Sequence, residues 1–344
     1  MESLTELGGW IADNESLLSG LVAVAVLVGL VVSPLGAGLR RVLGQGREDR
    51  AEEAPRPKRI TLDDLTRPGP HPIRFADADG VRIAYVDQGE GPPNLLVAPG
   101  IVSHLHIASN LPSIREMREF LGGFARVVSF DKRGQGLSDP TLRAANLQER
   151  VRDIETVLDA AGLERAILVG ASEGGPMCLQ FAHDHPERVQ GLILLGSTAS
   201  WVQREDYPIG VPRRAMEGLA RHWGRGASRR IFFPTVSSEE IDDDTYSAFE
   251  KLISSRDSIG QLVEMMIETD MRPILPGIHT PTLVIHFTGD LAIPVRMGRD
   301  LAERLPNAEF LEVNGTNHVD LAHSPEACAR VKSFCEERLR EEAG

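Results

Sequence analysis

A serine stands between two glycines in the pentapeptide Gly-Ala-Ser-Glu-Gly at positions 170–174. It follows a short apolar run and precedes a predicted helix. A serine in a sharp strand-to-helix turn exposes its hydroxyl at the carboxyl edge of a sheet, where it can attack an acyl carbon. The pattern alone also fits an ordinary tight turn, so Ser172 is a candidate nucleophile whose partners must lie elsewhere in the chain.

A serine hydroxyl becomes a good nucleophile only when a base takes its proton, and a carboxylate orients that base. The sequence has ten histidines, but only His318 lies in a loop directly after the last strand-like run. His104 and His106 follow an Ala-Pro-Gly turn and could line a pocket instead. We therefore predict that His318 is the general base.

The acid should lie between the serine and the histidine along the chain, which is the order that accompanies a serine in this kind of turn. Asp290 ends the strand-like run at 280–290 and meets that requirement. Asp300 is predicted to lie on a helix, and Asp320 follows His318 too closely. We predict Asp290 as the acid, with the N-cap of the following helix as its alternative role.

Attack on a carbonyl creates an oxyanion, which preorganised N–H groups must stabilise. We predict that the donors are the backbone N–H groups of Glu173, directly after the serine, and of Ile101, directly after the strand-like run at 94–100. The side chain of Glu173 has three open interpretations. It is a solvated carboxylate, a salt-bridge partner, or a group that repels anionic substrates.

The segment 130–140, Phe-Asp-Lys-Arg-Gly-Gln-Gly-Leu-Ser-Asp-Pro, is predicted to be a further tight turn. Gly134 and Gly136 permit the bend. Asp131 and Arg133 are expected to pair and brace the loop. We interpret this segment as structural support for the site and not as part of its chemistry.

Six short apolar runs and an amino-terminal hairpin signal predict the elements that position these residues. The runs do not alternate polar and apolar residues, which is typical of strands buried on both faces of a parallel sheet. Amphipathic stretches such as 146–163 separate most of them. Residues 71–344 are therefore predicted to form an α/β domain with a mostly parallel eight-stranded sheet and helices on both faces. A helical cap inserted at about 198–279 would wall an apolar pocket.

Composition limits the classes of partner. With 37 basic and 50 acidic residues, the formal net charge is −13, which argues against nucleic acid because phosphate binding needs basic patches. Cys178, Cys328 and Cys335 show no Cys-x-x-Cys spacing and are predicted to be reduced, buried thiols. The sequence has no reliable metal-ligand cluster and no cofactor-binding loop, so we predict neither a metal nor a cofactor.

The amino-terminal region has a different character. After a short segment at 1–15, residues 16–39 carry no charge and are numerous enough to cross a bilayer as a helix. Acidic residues precede this segment and arginines follow it, which predicts a single-pass membrane helix with the amino terminus outside and the hydrolytic part cytoplasmic. A cleaved signal peptide and a buried core helix are the alternatives. Residues 40–70, with prolines and charges of both signs, are predicted to be a linker.

The chain from about His71 onward resembles the α/β-hydrolase superfamily. The resemblance rests on these motifs and on their order: Ala-Pro-Gly at 98–100, the turn at 130–140, Gly-Ala-Ser-Glu-Gly-Gly at 170–175, Gly-Asp-Leu-Ala-Ile-Pro at 289–294 and Gly-Thr-Asn-His-Val-Asp-Leu at 315–321. More narrowly, the sequence is similar to hydrolase domains associated with bacterial class III adenylate and guanylate cyclases.

The resemblance implies an α/β-hydrolase fold and a catalytic triad of Ser172, Asp290 and His318. One departure is Pro99-Gly100, where many members have His-Gly before the oxyanion residue. We expect a hydrolase that cleaves small-molecule carboxylic esters through an acyl-enzyme. Lactonase, aminopeptidase, C–C hydrolase and cofactor-free perhydrolase activities are alternatives, because the same triad serves each. A ligand-binding sensor linked to cyclase-type signalling is an alternative of another class, and a homodimer or a signalling partner is left open.

Overall fold

The computed structural model describes residues 59–343 of the 344-residue chain. The strands are β1 Arg74–Ala78, β2 Val81–Gln88, β3 Asn94–Ala98, β4 Arg126–Phe130, β5 Ala166–Ala171, β6 Val189–Leu195, β7 Thr282–Phe287 and β8 Ala308–Val313. They form one sheet in the spatial order β1-β2-β4-β3-β5-β6-β7-β8. The β1–β2 and β2–β4 pairs are antiparallel and the other neighbours are parallel. The predicted mostly parallel eight-stranded sheet is therefore confirmed.

Ten α-helices and four short 3₁₀ helices accompany the strands in the described range, and the α-helices position the site. They are α1 Leu62–Thr66, α2 Pro112–Gly122, α3 Leu147–Ala160, α4 Gly174–Asp184, α5 Arg213–His222, α6 Arg229–Phe232, α7 Asp243–Ile253, α8 Arg256–Glu268, α9 Val295–Arg304 and α10 Pro325–Ala343. The start of α3 shows how sequence selects a boundary. Asn146 accepts the N–H of Glu149, and the Glu149 side chain accepts the N–H of Asn146, which is a capping box.

Two apolar cores lie on the two faces of the sheet. Along β5, Leu168 belongs to the core that includes α3, α4 and α9, whereas its neighbours Ile167 and Val169 belong to the core that includes α2 and α10. Successive side chains of a strand point to opposite faces. A strand that is apolar throughout therefore contributes side chains to both cores. Helices cover both faces of the sheet, as predicted.

The parallel strands end at a common edge, and this edge is where the predicted site residues follow. Ala98 at the end of β3 pairs with Gly170 near the end of β5, and Phe287 pairs with Val313 at the ends of β7 and β8. The loops that carry the candidate nucleophile, acid, base and oxyanion donor all leave the sheet at this edge. Their spatial convergence is a property of the sheet and not of neighbouring sequence.

The segment between β6 and β7 contains α5, α6, α7 and α8 and builds the cap. Its aromatic residues Trp201, Tyr207, Trp223 and Tyr246 are buried. They share an apolar core with Ile101, which lies in the loop after β3. The cap is thus packed against the loops at the carboxyl edge of the sheet.

The described chain begins in the carboxyl end of the predicted linker, and that part is folded. Thr61 and Asp64 form a capping box at the start of α1, and Leu65 is fully buried. The Ile60 N–H donates to the carbonyl of Glu240 in the cap at 2.8 Å. The predicted membrane helix at 16–39 lies outside the described residues. From 59 to 343, no helix combines the length and apolar character required to cross a membrane.

The turn after β4 is braced, but not by the predicted partners. The Arg133 guanidinium bonds Asp153 of α3 at 2.6 and 2.9 Å, and both residues are buried. Asp131 instead accepts the N–H groups of Leu105 and Leu137 at 3.1 and 2.8 Å. The predicted Asp131–Arg133 pair is therefore wrong, because each side chain finds a better-placed partner in the tertiary structure.

We expect Arg133→Met to lower the free energy of unfolding by about 3–5 kcal/mol, because it leaves the Asp153 carboxylate buried without its cation. Denaturant titration at neutral pH measures the change. Arg82→Met is the matched control, since it removes an ion pair with Asp139 of the same turn, at 2.9 Å, in which the Arg82 side chain is largely exposed. The control should change stability little. Equal losses in the two variants would contradict a special role for the buried pair.

Candidate active site

Ser172 lies in the turn between β5 and α4, and its φ is 52°. A positive φ is uncommon for a residue with a side chain, and surrounding contacts must hold it. The Ser172 N–H donates to the carbonyl of Leu195 at 2.8 Å. The Ser172 carbonyl accepts the N–H of Gly175 and the hydroxyl of Ser197, each at 3.0 Å. The predicted strained turn is thus present and is held from both sides.

Backbone crowding explains the two glycines of the pentapeptide. A Cβ on Gly174 would lie 2.2 Å from the carbonyl oxygen of Ala98 in β3. A Cβ on Gly170 would lie 2.8 Å from the Cα of Gly175. Neither position has room for a side chain. The strand and the helix can therefore meet closely enough to present Ser172.

Asp290 and His318 are hydrogen-bonded to each other, with Oδ2 of Asp290 and Nδ1 of His318 2.7 Å apart. Both residues are buried. The other carboxylate oxygen of Asp290 accepts the N–H groups of Ala292 and Ile293 at 2.8 and 3.0 Å. Asp290 therefore organises the local turn with one oxygen and orients the imidazole with the other.

A second histidine, which the sequence did not single out, lies beside the same carboxylate. His286 in β7 places Nε2 2.7 Å from the carbonyl of Ile293 and 3.4 Å from Oδ2 of Asp290. Burial by itself raises the pKa of Asp290, but the charge of His318 and hydrogen bonds from both histidines hold this pKa well below its ordinary value. The carboxylate stays ionised, so it can stabilise a positive imidazole. The sequence signal for His286 is its position inside the otherwise apolar run of β7.

The second ring nitrogen of His318, Nε2, is buried and has no hydrogen-bond partner within residues 59–343. Its backbone N–H is held by the carbonyl of Phe232 at 2.8 Å, and the two rings are 5.7 Å apart. Ser172 and His318 line the same cavity. A hydrogen bond between a nucleophile and its base often forms only when substrate is bound.

The two predicted oxyanion donors lie on either side of the nucleophile. Glu173 follows it in the chain. The loop that carries Ile101 passes so close that a Cβ on Gly100 would be 3.2 Å from the Cβ of Ser172. In the described part of the chain, neither the Ile101 N–H nor the Glu173 N–H donates to a backbone carbonyl. Both are available for the predicted role, and Glu173 also lies at the positive end of the α4 dipole.

The side chain of Glu173 is a salt-bridge partner, which is one of its three open interpretations. It is buried, its Oε2 lies 2.5 Å from Nζ of Lys132, and its other oxygen bonds Arg150. Lys132 is fully buried and also donates to the carbonyl of Gly100 at 2.5 Å. Burial lowers the pKa of Lys132 to about 8, although Glu173 opposes this shift. Sequence reasoning missed Lys132 because it treated the whole turn at 130–140 as support.

Two cavities meet at the nucleophile. The first has an empty volume of about 950 Å³, its mouth included, and the second about 600 Å³. Ser172, Ile101 and Phe232 line both of them. The further walls are mainly apolar and come from the sheet loops and the cap, with Leu105, Met117, Phe233 and Phe249 in the first and Trp201, Met216, Leu219 and Met266 in the second.

The arrangement contains the groups that acyl transfer requires. It supplies a hydroxyl on a strained turn, a histidine oriented by an ionised carboxylate, and the two predicted backbone donors for an oxyanion. Across the described residues, no group of three His, Cys, Asp or Glu side chains is placed to hold a metal ion.

Comparisons with known proteins agree with this fold. A sequence model of the α/β-hydrolase fold matches residues 93–225, and a model of TAP-like proteins matches residues 268–337. The 2-hydroxymuconate semialdehyde hydrolase of Pseudomonas putida is 28% identical over 280 residues, which are 76% of this chain and 92% of that protein. The pimeloyl-[acyl-carrier protein] methyl ester esterase of Aromatoleum aromaticum is 28% identical over 177 residues, which are 48% of this chain and 71% of that protein.

A solved structure shows the same fold. The esterase EaEST from Exiguobacterium antarcticum superimposes with a TM-score of 0.65 at 22% identity, covering 76% of this chain and 98% of that one. The sheet order, the turn at Ser172 and the paired histidine and aspartate are those of the α/β-hydrolase fold. The two family models and the relatives support the α/β-hydrolase superfamily, and an enzyme of that family, for this chain.

We expect Asp290→Asn to lower kcat for p-nitrophenyl butyrate by roughly 10³–10⁴-fold with KM little changed, because an amide cannot hold His318 in the required tautomer. Steady-state kinetics on variants with native circular dichroism measures the effect. Asp300→Asn is the matched control, because Asp300 lies on α9 and, within the described range, its side chain bonds only Arg304, at 2.8 and 2.9 Å. The control should retain kcat within about twofold. A similar loss in both variants would refute the orienting role of Asp290.

Proposed function

We propose that the protein is a serine hydrolase that cleaves small, mainly apolar carboxylic esters. Ser172 attacks the acyl carbon while His318 takes the hydroxyl proton, and Asp290 stabilises the imidazolium. The N–H groups of Ile101 and Glu173 stabilise the oxyanion. His318 then protonates the departing alcohol, and water activated by the same histidine releases the acid. The proposal depends above all on the 2.7 Å bond between His318 and Asp290, next to a serine held at positive φ.

The two cavities favour an ester with an apolar group on each side of the scissile bond. Ser172 and Ile101 are common to both, so an acyl carbon at the nucleophile can extend one substituent into each cavity. Burying apolar substituents supplies binding free energy of roughly 25 cal/mol per Å². One cavity would take the acyl chain and the other the alcohol.

Hydrolysis of a C–C bond is the alternative raised by the relatives, several of which are named for nonadienedioate or nonatrienedioate substrates. A dioate carries two negative charges and needs cations in its site. In the described structure, Arg118 is the one cationic side chain that lines the larger cavity. Its guanidinium already bonds Gln88, Ser109 and the carbonyl of Leu105. An uncharged ester therefore fits this cavity better than a dianion.

We expect Ser172→Ala to abolish ester turnover, by at least roughly 10⁴-fold in kcat, and to abolish labelling by a fluorophosphonate probe with the fold intact. The hydroxyl is the atom that the probe phosphonylates. Ser129→Ala is the matched control, because Ser129 lines the same cavity and its buried hydroxyl meets no partner among residues 59–343. Labelling should persist in the control. Labelling that survives in Ser172→Ala would overturn the assignment of the nucleophile.

A panel of p-nitrophenyl esters of increasing acyl length, together with a 2-hydroxy-6-oxo dienoate, separates the remaining activities. Preferential turnover of the esters supports the proposal, and preferential turnover of the dienoate supports a C–C hydrolase. The similarity to cyclase-associated domains motivates a sensor as the alternative of another class. Saturable binding of an ester without turnover or labelling would favour the sensor.

We also propose that residues 16–39 anchor the enzyme in a membrane, with the hydrolase domain on the cytoplasmic side. The absence of charge over this segment and the arginines after it support the proposal. We expect the full-length protein to sediment with membranes and to need detergent, not high salt, for release. Leu27→Arg places a charge at the centre of the segment, at a cost of roughly 2.5–3.5 kcal/mol, and should shift protein to the supernatant. Salt-extractable wild type would contradict the anchor.

A further inference from the structure

Lys132 lies where the two predicted oxyanion donors approach each other. Its ammonium group is fully buried and 2.5 Å from the carbonyl oxygen of Gly100. It is also 2.5 Å from Oε2 of Glu173. One cation therefore touches the residue before the first donor, Ile101, and the residue that carries the second.

The contact with Gly100 acts on the Ile101 N–H through a single peptide group. The carbonyl of Gly100 and the N–H of Ile101 are conjugated and share one plane. A charge-assisted hydrogen bond to the oxygen therefore fixes the orientation of the N–H. It also draws electron density from the nitrogen, so the N–H becomes a stronger donor, as in a chain of hydrogen bonds.

The rest of the same turn holds the remainder of the loop after β3. We call residues 100–103 of this loop the oxyanion loop. The Gln135 side-chain amide donates to the carbonyl of Ile101 at 3.3 Å, and its oxygen accepts the N–H and the hydroxyl of Ser103 at 3.2 and 3.1 Å. The Lys132 N–H donates to the same hydroxyl at 3.1 Å. The loop from Gly100 to Ser103 is thus clamped along its length by residues 132–135.

We propose that Lys132 is a positioning residue that locks and polarises the Gly100–Ile101 peptide for oxyanion stabilisation. This inference rests on the proposed function. It also gives the turn at 130–140 a part in the chemistry, whereas the sequence indicated only structural support. The substrate contacts the Ile101 N–H, and Lys132 acts on that N–H through the carbonyl on the other side of the same peptide group.

Arg150 provides a matched comparison within the same cluster. It is buried and bonds the other oxygen of Glu173, and within residues 59–343 it makes no hydrogen bond to the Gly100 carbonyl. Removing either cation leaves the Glu173 carboxylate with one positive partner. The two variants therefore lose comparable ion pairs, and only the Lys132 variant loses the bond to the oxyanion loop.

The test compares Lys132→Met with Arg150→Met in the full-length protein, using p-nitrophenyl butyrate and a short alkyl boronic acid that mimics the tetrahedral intermediate. We expect Lys132→Met to lower kcat by roughly 10–100-fold, less than the loss of an entire donor, with KM changed by less than about threefold. Boronic acid affinity should fall in parallel with kcat. Arg150→Met should keep kcat within about threefold of wild type.

Thermal unfolding checks that both variants are folded, and Lys132→Gln replaces the methionine variant if that one is not. A neutral amide donor polarises the carbonyl less than an ammonium group does. Lys132→Gln is therefore also expected to lower kcat with KM little changed, but by a smaller factor than Lys132→Met. Equal kcat values in the Lys132 and Arg150 variants, with an active wild type, would overturn the inference and leave the proposed function standing. A wild type that neither turns over esters nor reacts with a fluorophosphonate would overturn both.

Discussion

The backbone conformation at Ser172 is the constraint on which the site depends. A positive φ at a residue with a side chain persists only where the surroundings impose it. Here the surroundings are the ends of β3 and β6, because Gly174 lies against the Ala98 carbonyl and the Ser172 N–H bonds Leu195. The helix that begins at this turn can approach the sheet so closely only because glycine occupies the contact positions. The exposed hydroxyl is therefore a consequence of how β5 and α4 pack between their neighbours.

Around this turn, the buried carboxylates of Asp290 and Glu173 each have compensating partners. Asp290 is held by two histidines and two backbone N–H groups, and Glu173 by two cations. An unpaired buried charge costs several kcal/mol, so such groups persist where paired geometry offsets their desolvation. Two bonds around this turn adjoin the candidate catalytic groups. Asp290 bonds the imidazole of His318, and the ammonium group of Lys132 bonds the carbonyl of Gly100, which precedes the predicted oxyanion donor Ile101.

The cap forms part of the walls of both cavities. Its aromatic residues and Ile101 belong to one apolar core, so the cap packs directly against the oxyanion loop. Phe232 of the cap lines both cavities and holds the His318 N–H through its carbonyl. Changes in the cap can therefore alter both the shape of the substrate site and the setting of the base. Members of one superfamily can differ in substrate for this reason while the sheet stays the same.

Local chemistry along the chain was enough to predict the sheet and the strained turn at Ser172, because strand ends and turn glycines depend on short segments of sequence. It also predicted that Asp290 and His318 follow strands at the same edge of the sheet. The hydrogen bond between Asp290 and His318 follows from parallel strands that end at one edge. Sequence could not predict which buried charges would pair. Lys132 and Glu173 are 41 positions apart, and Arg133 pairs with a carboxylate on α3 and not with its near neighbour Asp131. The pairing of these charges depends on which side chains the packed helices and loops bring within hydrogen-bond distance. Only the tertiary structure decides which side chains those are.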